Sequence, residues 1–305
     1  MSEIPNHLDL MSIVEREQGE MESPPDPVPA YRLVRPATVD APVLLSSPHS
    51  GTHYPESLLR NIRVPLIDLR RTEDAYVDRL IAHAPDLGAT LLAATHARAY
   101  VDLNRDPHEL DPEMFDGLPP GPVAAPTARV QAGLGCLPKI GARGDTIYAK
   151  KLSPEDGRAR LVDVHAPYHQ ALKAEIAALH QGFGSAILLD VHSMPSRQPG
   201  RNALPDIVLG DRFGSSCTSQ LTNLVERTFR QLGLSVARNA PYAGGYTTRL
   251  YGRPKRHVHA LQIEVNRKLY MDEASVELLK TSDALIDKFD TLIAEVRRLA
   301  LRLRP

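Results

Sequence analysis

Two histidines follow short apolar segments, in positions where they could bind a metal ion. The segment Ile187–Val191 is apolar apart from Asp190 and leads directly to His192, and a second apolar segment, Val43–Ser47, is soon followed by His49. Ligands of open α/β sheets bind at the carboxyl ends of the strands, so we expect both imidazoles at one sheet edge. Asp190 would face the same side of its strand as His192 and could orient that imidazole. The alternative for each histidine is an ordinary hydrogen-bonded side chain.

A carboxylate would complete a His–His–carboxylate site with one position open for water. Glu73 and Asp74 are adjacent acids in the segment Arg-Thr-Glu-Asp at 71–74. The sequence does not separate them, and we take Glu73 as the expected third ligand. The alternative is that both are ordinary acids in the first turn of a helix capped by Thr72, where they would favour the helix dipole.

A further acid follows a third apolar segment, Ala260–Ile263. Apolar surroundings would raise the pKa of Glu264, which is what a general base or acid near neutral pH requires. The alternative is a simple ion pair with a cation such as Arg267.

Amide and guanidinium side chains could bind a carboxylate of the substrate. Asn104 and Arg105 follow a predicted strand, Ala99–Leu103, and arginine binds carboxylates through two parallel hydrogen bonds. Any single arginine could instead belong to a surface ion pair. The other residues that we expect around the substrate are Arg98, Tyr246 in a Gly-rich loop, Arg249 and Arg253.

The composition is that of a globular protein. The chain has 305 residues and a net charge of -1, which provides no basic field for nucleic acid. No window approaches the about 20 apolar residues of a membrane span. Two cysteines without CxxC spacing argue against a disulfide framework and favour a reducing, cytoplasmic setting. Phosphate-binding glycine motifs and a GxSxG elbow are absent from the sequence.

Strands that alternate with helices predict a layered α/β fold with a mostly parallel sheet. We expect a flexible N-terminal arm over 1–29 and a single domain over 30–305. Within that domain, the Pro/Gly-rich loop 107–148 is either a functional lid or a surface excursion. Helices are predicted over 72–84, 153–180, 216–232 and 273–303. Strands are predicted over 43–47, 90–94, 99–103, 187–191, 206–210, 234–237 and 257–265.

Seven short segments, taken in this order, resemble the N-formylglutamate amidohydrolase family, from about Pro42 to about Glu273. Each segment alone is weak, but their shared order is specific. The segments are Pro-His-Ser-Gly at 48–51, Arg-Thr-Glu-Asp at 71–74, Asp-Leu-Asn-Arg at 102–105, Pro-Tyr-His at 167–169, Asp-Val-His-Ser at 190–193, Gly-Gly-Tyr-Thr-Thr-Arg-x-Tyr-Gly-Arg-Pro at 244–254 and His-Ala-Leu-Gln-Ile-Glu at 259–264.

The resemblance implies a zinc-dependent hydrolase of N-formyl-L-glutamate, or of a related N-acyl amino acid, in histidine breakdown. That family is similar to the zinc carboxypeptidases and aspartoacylase, whose zinc-dependent exopeptidase, or phosphorylase/hydrolase-like, fold has a mixed sheet between helices. By this likeness His49, Glu73 and His192 would hold zinc, although another divalent transition metal would fit similar ligands. Asn104 and Arg105 would bind the substrate carboxylate, and Glu264 would activate water.

One departure from the carboxypeptidase pattern is the absence of His-x-x-Glu, since Thr52 stands three residues after His49. The acidic ligand must therefore come from elsewhere in the chain. The alternatives are a zinc carboxypeptidase that acts on peptides and a non-catalytic anion-binding protein of the same fold. The oligomeric state is left open by the sequence.

Overall fold

Residues 28–198 and 203–303 are described here from a computed structural model. The arm predicted over 1–29 therefore lies, but for its last two residues, outside the described residues. Within the described ranges a central sheet organises the chain and carries helices on both faces. The single domain over 30–305 stays a prediction.

Seven strands form the central sheet, and its inner part is parallel. The strands are β1 (Tyr31–Val34), β2 (Val43–Ser47), β3 (Thr90–Ala94), β4 (Ala186–Met194), β5 (Ile207–Gly210), β6 (Val236–Arg238) and β7 (Val258–Asn266). Their spatial order is β1-β3-β2-β4-β7-β5-β6. The pairs β3–β2, β2–β4, β4–β7 and β5–β6 are parallel, whereas β1–β3 and β5–β7 are antiparallel. The prediction of a mixed, mostly parallel sheet is confirmed.

Helices cover both faces of the sheet. They are α1 (Glu56–Leu59), α2 (Leu66–Arg70), α3 (Val77–Leu80), α4 (Ala128–Gln131), α5 (Pro154–Ala159), α6 (Ala166–Phe183), α7 (Ser219–Gln231), α8 (Tyr246–Tyr251) and α9 (Ser282–Ala300). A π-helical segment, Arg160–His165, joins α5 to α6.

Two apolar cores separate the layers, and the alternation of strand residues assigns side chains to one core or the other. Helices α3, α7 and α9 pack on the first face, where Leu45, Leu189 and Leu261 lie. Helix α6 and the long segment before it pack on the second face, where Leu44 and Leu188 lie. The predicted three-layer arrangement is confirmed.

The helix predicted from Thr72 is wrong in its extent. Helix α3 has only four residues, because Tyr76 takes a left-handed conformation with φ of 65° and interrupts the run. Thr72 does not cap a helix but donates its hydroxyl to the Leu69 carbonyl at 2.6 Å. The predicted apolar positions Val77 and Leu80 are nevertheless fully buried.

Two other predicted elements differ from the structure. The segment predicted as a strand over 99–103 forms turns, since the Asp102 amide donates to the Cys136 carbonyl at 2.8 Å and not to a strand. The last helix begins at Ser282 and not at Glu273, because a short hairpin of β8 (Met271–Asp272) and β9 (Glu277–Leu278) precedes it. Its predicted packing on the parent sheet is confirmed.

The Pro/Gly-rich loop 107–148 is fastened to the body of the protein by a buried arginine. The guanidinium of Arg160 donates to the Tyr100 carbonyl at 3.1 Å and to the Tyr148 hydroxyl at 2.7 Å, and it lies 4.5 Å from the Tyr100 ring centroid. One side chain therefore ties the end of the loop, at Tyr148, to the segment that precedes the loop, at Tyr100. Among the described residues, no helix is both long and apolar enough to cross a bilayer.

Shortening a side chain in the first core should destabilise the protein strongly. Leu189 is 0% exposed at the centre of β4, so Leu189→Ala should lower the free energy of unfolding by about 2–5 kcal/mol through lost burial and a residual cavity. Leu118→Ala is the matched control, because Leu118 is 84% exposed and its loss should cost less than about 0.5 kcal/mol. Urea denaturation measures both, and equal destabilisation would contradict the layer assignment.

Candidate active site

The two predicted histidines meet at the carboxyl edge of the sheet. His192 is on β4, and His49 lies two residues beyond the end of β2, its neighbour in the sheet. Their Nδ1 atoms are 3.2 Å apart, and the side chains are only 1% and 2% exposed. The predicted convergence of these imidazoles is confirmed.

Asp74, and not Glu73, is the acid that joins them. Asp74 Oδ2 lies 3.1 Å from His49 Nδ1 and 3.0 Å from His192 Nδ1. The backbone sets this position, because the Asp74 amide donates to the His49 carbonyl at 3.0 Å.

The expectation that Glu73 is the third ligand is corrected by this geometry. The Glu73 side chain turns the other way and accepts a hydrogen bond from the Tyr54 hydroxyl. Burial raises the pKa of Glu73 to about 7, although the hydrogen bond from Tyr54 opposes the rise. Among the described residues, its Oε2 atom has no hydrogen-bond partner.

A carboxylate holds each imidazole from its far side. His49 Nε2 lies 2.7 Å from Asp102 Oδ1, and His192 Nε2 lies 2.9 Å from Asp190 Oδ2. The predicted support of His192 by Asp190 is confirmed. Such partners fix the Nε2–H tautomer and leave the Nδ1 lone pair free to bind a cation.

Asp74 is itself held by an arginine. Ser193 Oγ donates to Asp74 Oδ1 at 3.0 Å, and Arg267 Nη2 lies 3.3 Å from the same oxygen. Burial alone would raise the pKa of Asp74, but the two histidines beside it hold that pKa well below the usual range. Asp74 is therefore an anion whose Oδ2 faces the imidazoles.

Glu264 lies directly beside His192 on the neighbouring strand β7. Burial raises the pKa of Glu264 to about 7 and outweighs the opposing effect of His192. Gln262 donates from Nε2 to Glu264 Oε1 at 2.7 Å. The alternative ion pair with Arg267 is not formed, since that arginine binds Asp74. Glu264 is thus a buried, oriented carboxyl group that can exchange a proton near neutral pH.

Two histidines at the start of α6 hold the segment that carries Asn104 and Arg105. His165 Nε2 lies 3.0 Å from the Arg105 carbonyl, and His169 Nε2 lies 2.8 Å from the Leu103 carbonyl. Burial lowers the pKa of His169 to about 3, so its ring is neutral and donates from Nε2. The segment therefore has a fixed backbone although it is not a strand.

A cleft of about 820 Å³ opens over the histidine pair. Residues of the loop 107–148 form one wall of it, among them Leu134, Ile140 and Arg143. The charged and amide residues that line the cleft are Arg71, Asp74, Arg98, Asp102, Asn104, Arg105, Arg129, Arg143, Gln262, Glu264 and Arg267. Because the arginines outnumber the acids, the cleft suits a small anion.

Three residues predicted around the substrate are placed elsewhere, and their assignment is corrected. Tyr246 begins α8 and packs its ring 5.3 Å from the His169 ring, outside the lining of the cleft. Arg249 pairs with Asp106 at 3.3 Å, and Arg253 donates to backbone carbonyls of its own turn. Helix α8 carries Tyr246 and Arg249 away from the cleft, and Arg253 lies in the turn that follows it.

Several cleft residues were not predicted from the sequence. Arg267, Gln262 and Asp102 each hold a side chain of the site, and Arg129 and Arg143 come from the long loop. The sequence does contain a signal for Gln262 and Asp102. Gln262 lies two residues before Glu264 and so faces the same side of its strand, and Asp102 begins the Asp-Leu-Asn-Arg segment. The loop arginines carry no periodic pattern that would reveal them.

The chemistry of the donor atoms fits a divalent metal ion. His49, Asp74 and His192 each offer one atom, and the three atoms lie 3.0–3.2 Å from one another. In a tetrahedral site with bonds of about 2.0 Å, neighbouring ligand atoms are about 3.3 Å apart. The donor set therefore has the spacing of a metal site and already carries outer carboxylate partners.

The mixed sheet, the His–His–Asp donor set and the buried acid at its edge are those of a hydrolase site with a candidate metal centre. The chain belongs to the N-formylglutamate amidohydrolase family, whose model matches residues 41–271.

Two relatives and one solved structure agree with this assignment. N-formylglutamate deformylase of Pseudomonas aeruginosa is 34% identical over 76% of this chain and 83% of its own length. The protein of the same description from Pseudomonas putida is 32% identical over 76% of this chain and 82% of its own. The crystal structure of N-formylglutamate amidohydrolase from Ralstonia eutropha superposes with a TM-score of 0.84, at 35% identity, over 90% of this chain and 99% of that one.

Replacing Asp74 and Glu73, one at a time, by the corresponding amide should show which of the two acids contributes to metal binding. We expect Asp74→Asn to weaken zinc binding, because it removes a charged donor. The loss should exceed the about 10- to 100-fold that removal of a ligand's outer hydrogen-bond partner costs. Glu73→Gln should keep the affinity of the unaltered protein, since Glu73 faces Tyr54. Titration of the metal-free proteins with zinc checks this. A loss confined to Glu73→Gln would reverse the assignment.

Proposed function

We propose that this protein hydrolyses N-formyl-L-glutamate, or a closely related N-acyl amino acid, to formate and L-glutamate. The observation that carries the proposal is the position of Glu264, which lies beside a His–His–Asp donor set and inside an arginine-lined cleft. Family membership supports the substrate class, since the relatives named above are N-formylglutamate deformylases. A place in histidine breakdown follows from the same substrate.

The proposal includes a divalent metal ion, which we take to be zinc, held by His49 Nδ1, His192 Nδ1 and Asp74 Oδ2. When bound, the metal would supply Lewis-acid polarisation and a water molecule of lowered pKa. Mixed nitrogen and oxygen donors also suit iron, cobalt and manganese. The chain's own contribution is to fix both histidines in one tautomer through Asp102 and Asp190.

Glu264 takes a proton from the attacking water and delivers it to the leaving amine. A pKa raised by burial to about 7 suits both directions of transfer. The hydrogen bond from Gln262 keeps one carboxyl oxygen engaged and so orients the other. Asn104 and Arg105 bind the α-carboxylate of the substrate from the segment that His165 and His169 hold.

Replacing Glu264 by glutamine tests the proton-transfer role. Glu264→Gln removes the group that accepts the proton but keeps the shape, so kcat should fall by about 10²- to 10⁴-fold with metal content unchanged. Formate release from N-formyl-L-glutamate by the metal-loaded protein measures this. Glu277→Gln on the exposed strand β9 is the matched control and should leave kcat unaltered.

Three results would contradict the proposal. Full activity of Glu264→Gln would remove the assigned base. Absence of formate or acetate release by the unaltered protein from N-formyl-L-glutamate and N-acetyl-L-aspartate, together with cleavage of short peptides, would favour the carboxypeptidase alternative. Loss of all three activities with retained anion binding would favour the binding protein.

A further inference from the structure

Among the residues that the structure describes, six arginines line the cleft, and most of them are already bound to acids of the protein. Arg98 lies 3.0 Å from Asp102, and Arg267 lies 3.3 Å from Asp74. Two more, Arg71 and Arg143, share Asp68 at 2.8 and 3.2 Å. These four arginines already have acidic partners within the chain, and a ligand would have to compete with those partners.

Arg129 differs from the rest because no salt bridge joins it to an acid anywhere in the described residues. It lies on the short helix α4 within the loop 107–148, and it is exposed while lining the cleft. The helix is well fixed, because Thr127 Oγ1 caps it through the Val130 amide at 3.3 Å and Val130 is buried beneath it. Arg129 is therefore a charged side chain on a fixed backbone, with an open cleft in front of it.

The backbone of Leu134 links Arg129 to Arg105. The Leu134 amide donates to the Arg129 carbonyl at 2.8 Å, and the Leu134 carbonyl accepts from Arg105 Nε at 3.1 Å. The two arginines are therefore held on either side of a single residue at one wall of the cleft. Arg105 Nη1 also lies 3.5 Å from the Asn104 carbonyl, so its fork is oriented by backbone groups.

Two guanidinium groups in one place favour a ligand with two negative charges. Burial lowers the pKa of Arg105, Asp102 opposes this, and the positive charges of Arg98 and Arg129 lower it further. An anion bound between the two side chains would relieve that repulsion. A dicarboxylate can engage both at once, with one carboxylate on each arginine.

We propose that Arg129 binds the side-chain carboxylate of the substrate and makes the enzyme selective for N-formyl amino acids with acidic side chains. This inference rests on the proposed function, in which Arg105 and Asn104 bind the α-carboxylate. Arg129 does not touch the reacting amide, so its contribution is to binding and selectivity. The relevant comparison is between substrates that differ only in the charge at the end of the side chain.

The test compares kcat/KM for N-formyl-L-glutamate and for its neutral isostere N-formyl-L-glutamine. Arg129→Gln should lower kcat/KM for the glutamate substrate by about 10- to 100-fold, mainly through KM, because a charge-assisted hydrogen bond is lost. The value for the glutamine substrate should change by less than about 3-fold, since an uncharged amide gains little from a guanidinium.

Two further variants complete the design. Arg129→Lys keeps the positive charge but lacks the planar guanidinium, so it should retain part of the preference for the glutamate substrate that Arg129→Gln loses. Arg60→Gln, at an exposed arginine paired with Glu56 on α1, is the matched control and should leave both values unaltered. Zinc content is measured in every variant and should be the same in all.

The outcomes separate this inference from the proposed function. If the unaltered protein releases formate but Arg129→Gln keeps the same glutamate-to-glutamine preference, the role of Arg129 is wrong and the function stands. An equal loss for both substrates would also overturn it, since Arg129 would then serve a part that the substrates share. If the unaltered protein releases formate from neither substrate, the proposed function falls and this inference falls with it.

Discussion

Each imidazole of the site is held from behind by a carboxylate, and the site's other features depend on that pair of contacts. Asp102 fixes His49 and Asp190 fixes His192, both through Nε2. The Nδ1 atoms are thereby turned towards each other and towards Asp74. Three electron-rich atoms at 3.0–3.2 Å are unfavourable without a positive charge among them. A proton or a metal ion must supply that charge, and the carboxylates of Asp102 and Asp190 behind the imidazoles stabilise either one.

The sheet supplies the distances that this arrangement needs. Adjacent parallel strands are about 4.8 Å apart, and β2, β4 and β7 lie side by side. His49 follows the first of these strands, His192 lies on the second and Glu264 on the third. The register pairs His192 with Glu264 and Asp190 with Gln262. His192 therefore stands beside Glu264. Asp190, which supports His192, stands beside Gln262, which supports Glu264.

The sequence predicts those parts of the site that regular strands position. A histidine after an apolar run and an acid two residues before it have a fixed relation in a strand, so His192, Asp190 and Glu264 could be placed in advance. Glu73 and Asp74 are adjacent in a turn, and the sequence has no periodicity there. The left-handed conformation of Tyr76 and the hydrogen bond from the Asp74 amide to the His49 carbonyl decide which of the two acids reaches the histidines.

The same limit explains the other errors and omissions. Tyr246 is expected in a Gly-rich loop and Arg249 near the substrate, but a helical turn directs both side chains elsewhere. Arg129 comes from a loop whose position depends on Arg160 and on contacts far along the chain. Long-range packing of that kind leaves no local pattern in the sequence.

The position of a bound metal ion tests the central claim most directly. Crystals of the full chain grown with zinc, and measured on both sides of the zinc absorption edge, locate the ion by its anomalous signal. We expect one strong peak about 2.0–2.1 Å from Nδ1 of both His49 and His192, and within about 2.2 Å of Asp74 Oδ2. A peak bound through an Nε2 atom, or on the Glu73 carboxylate, would contradict it.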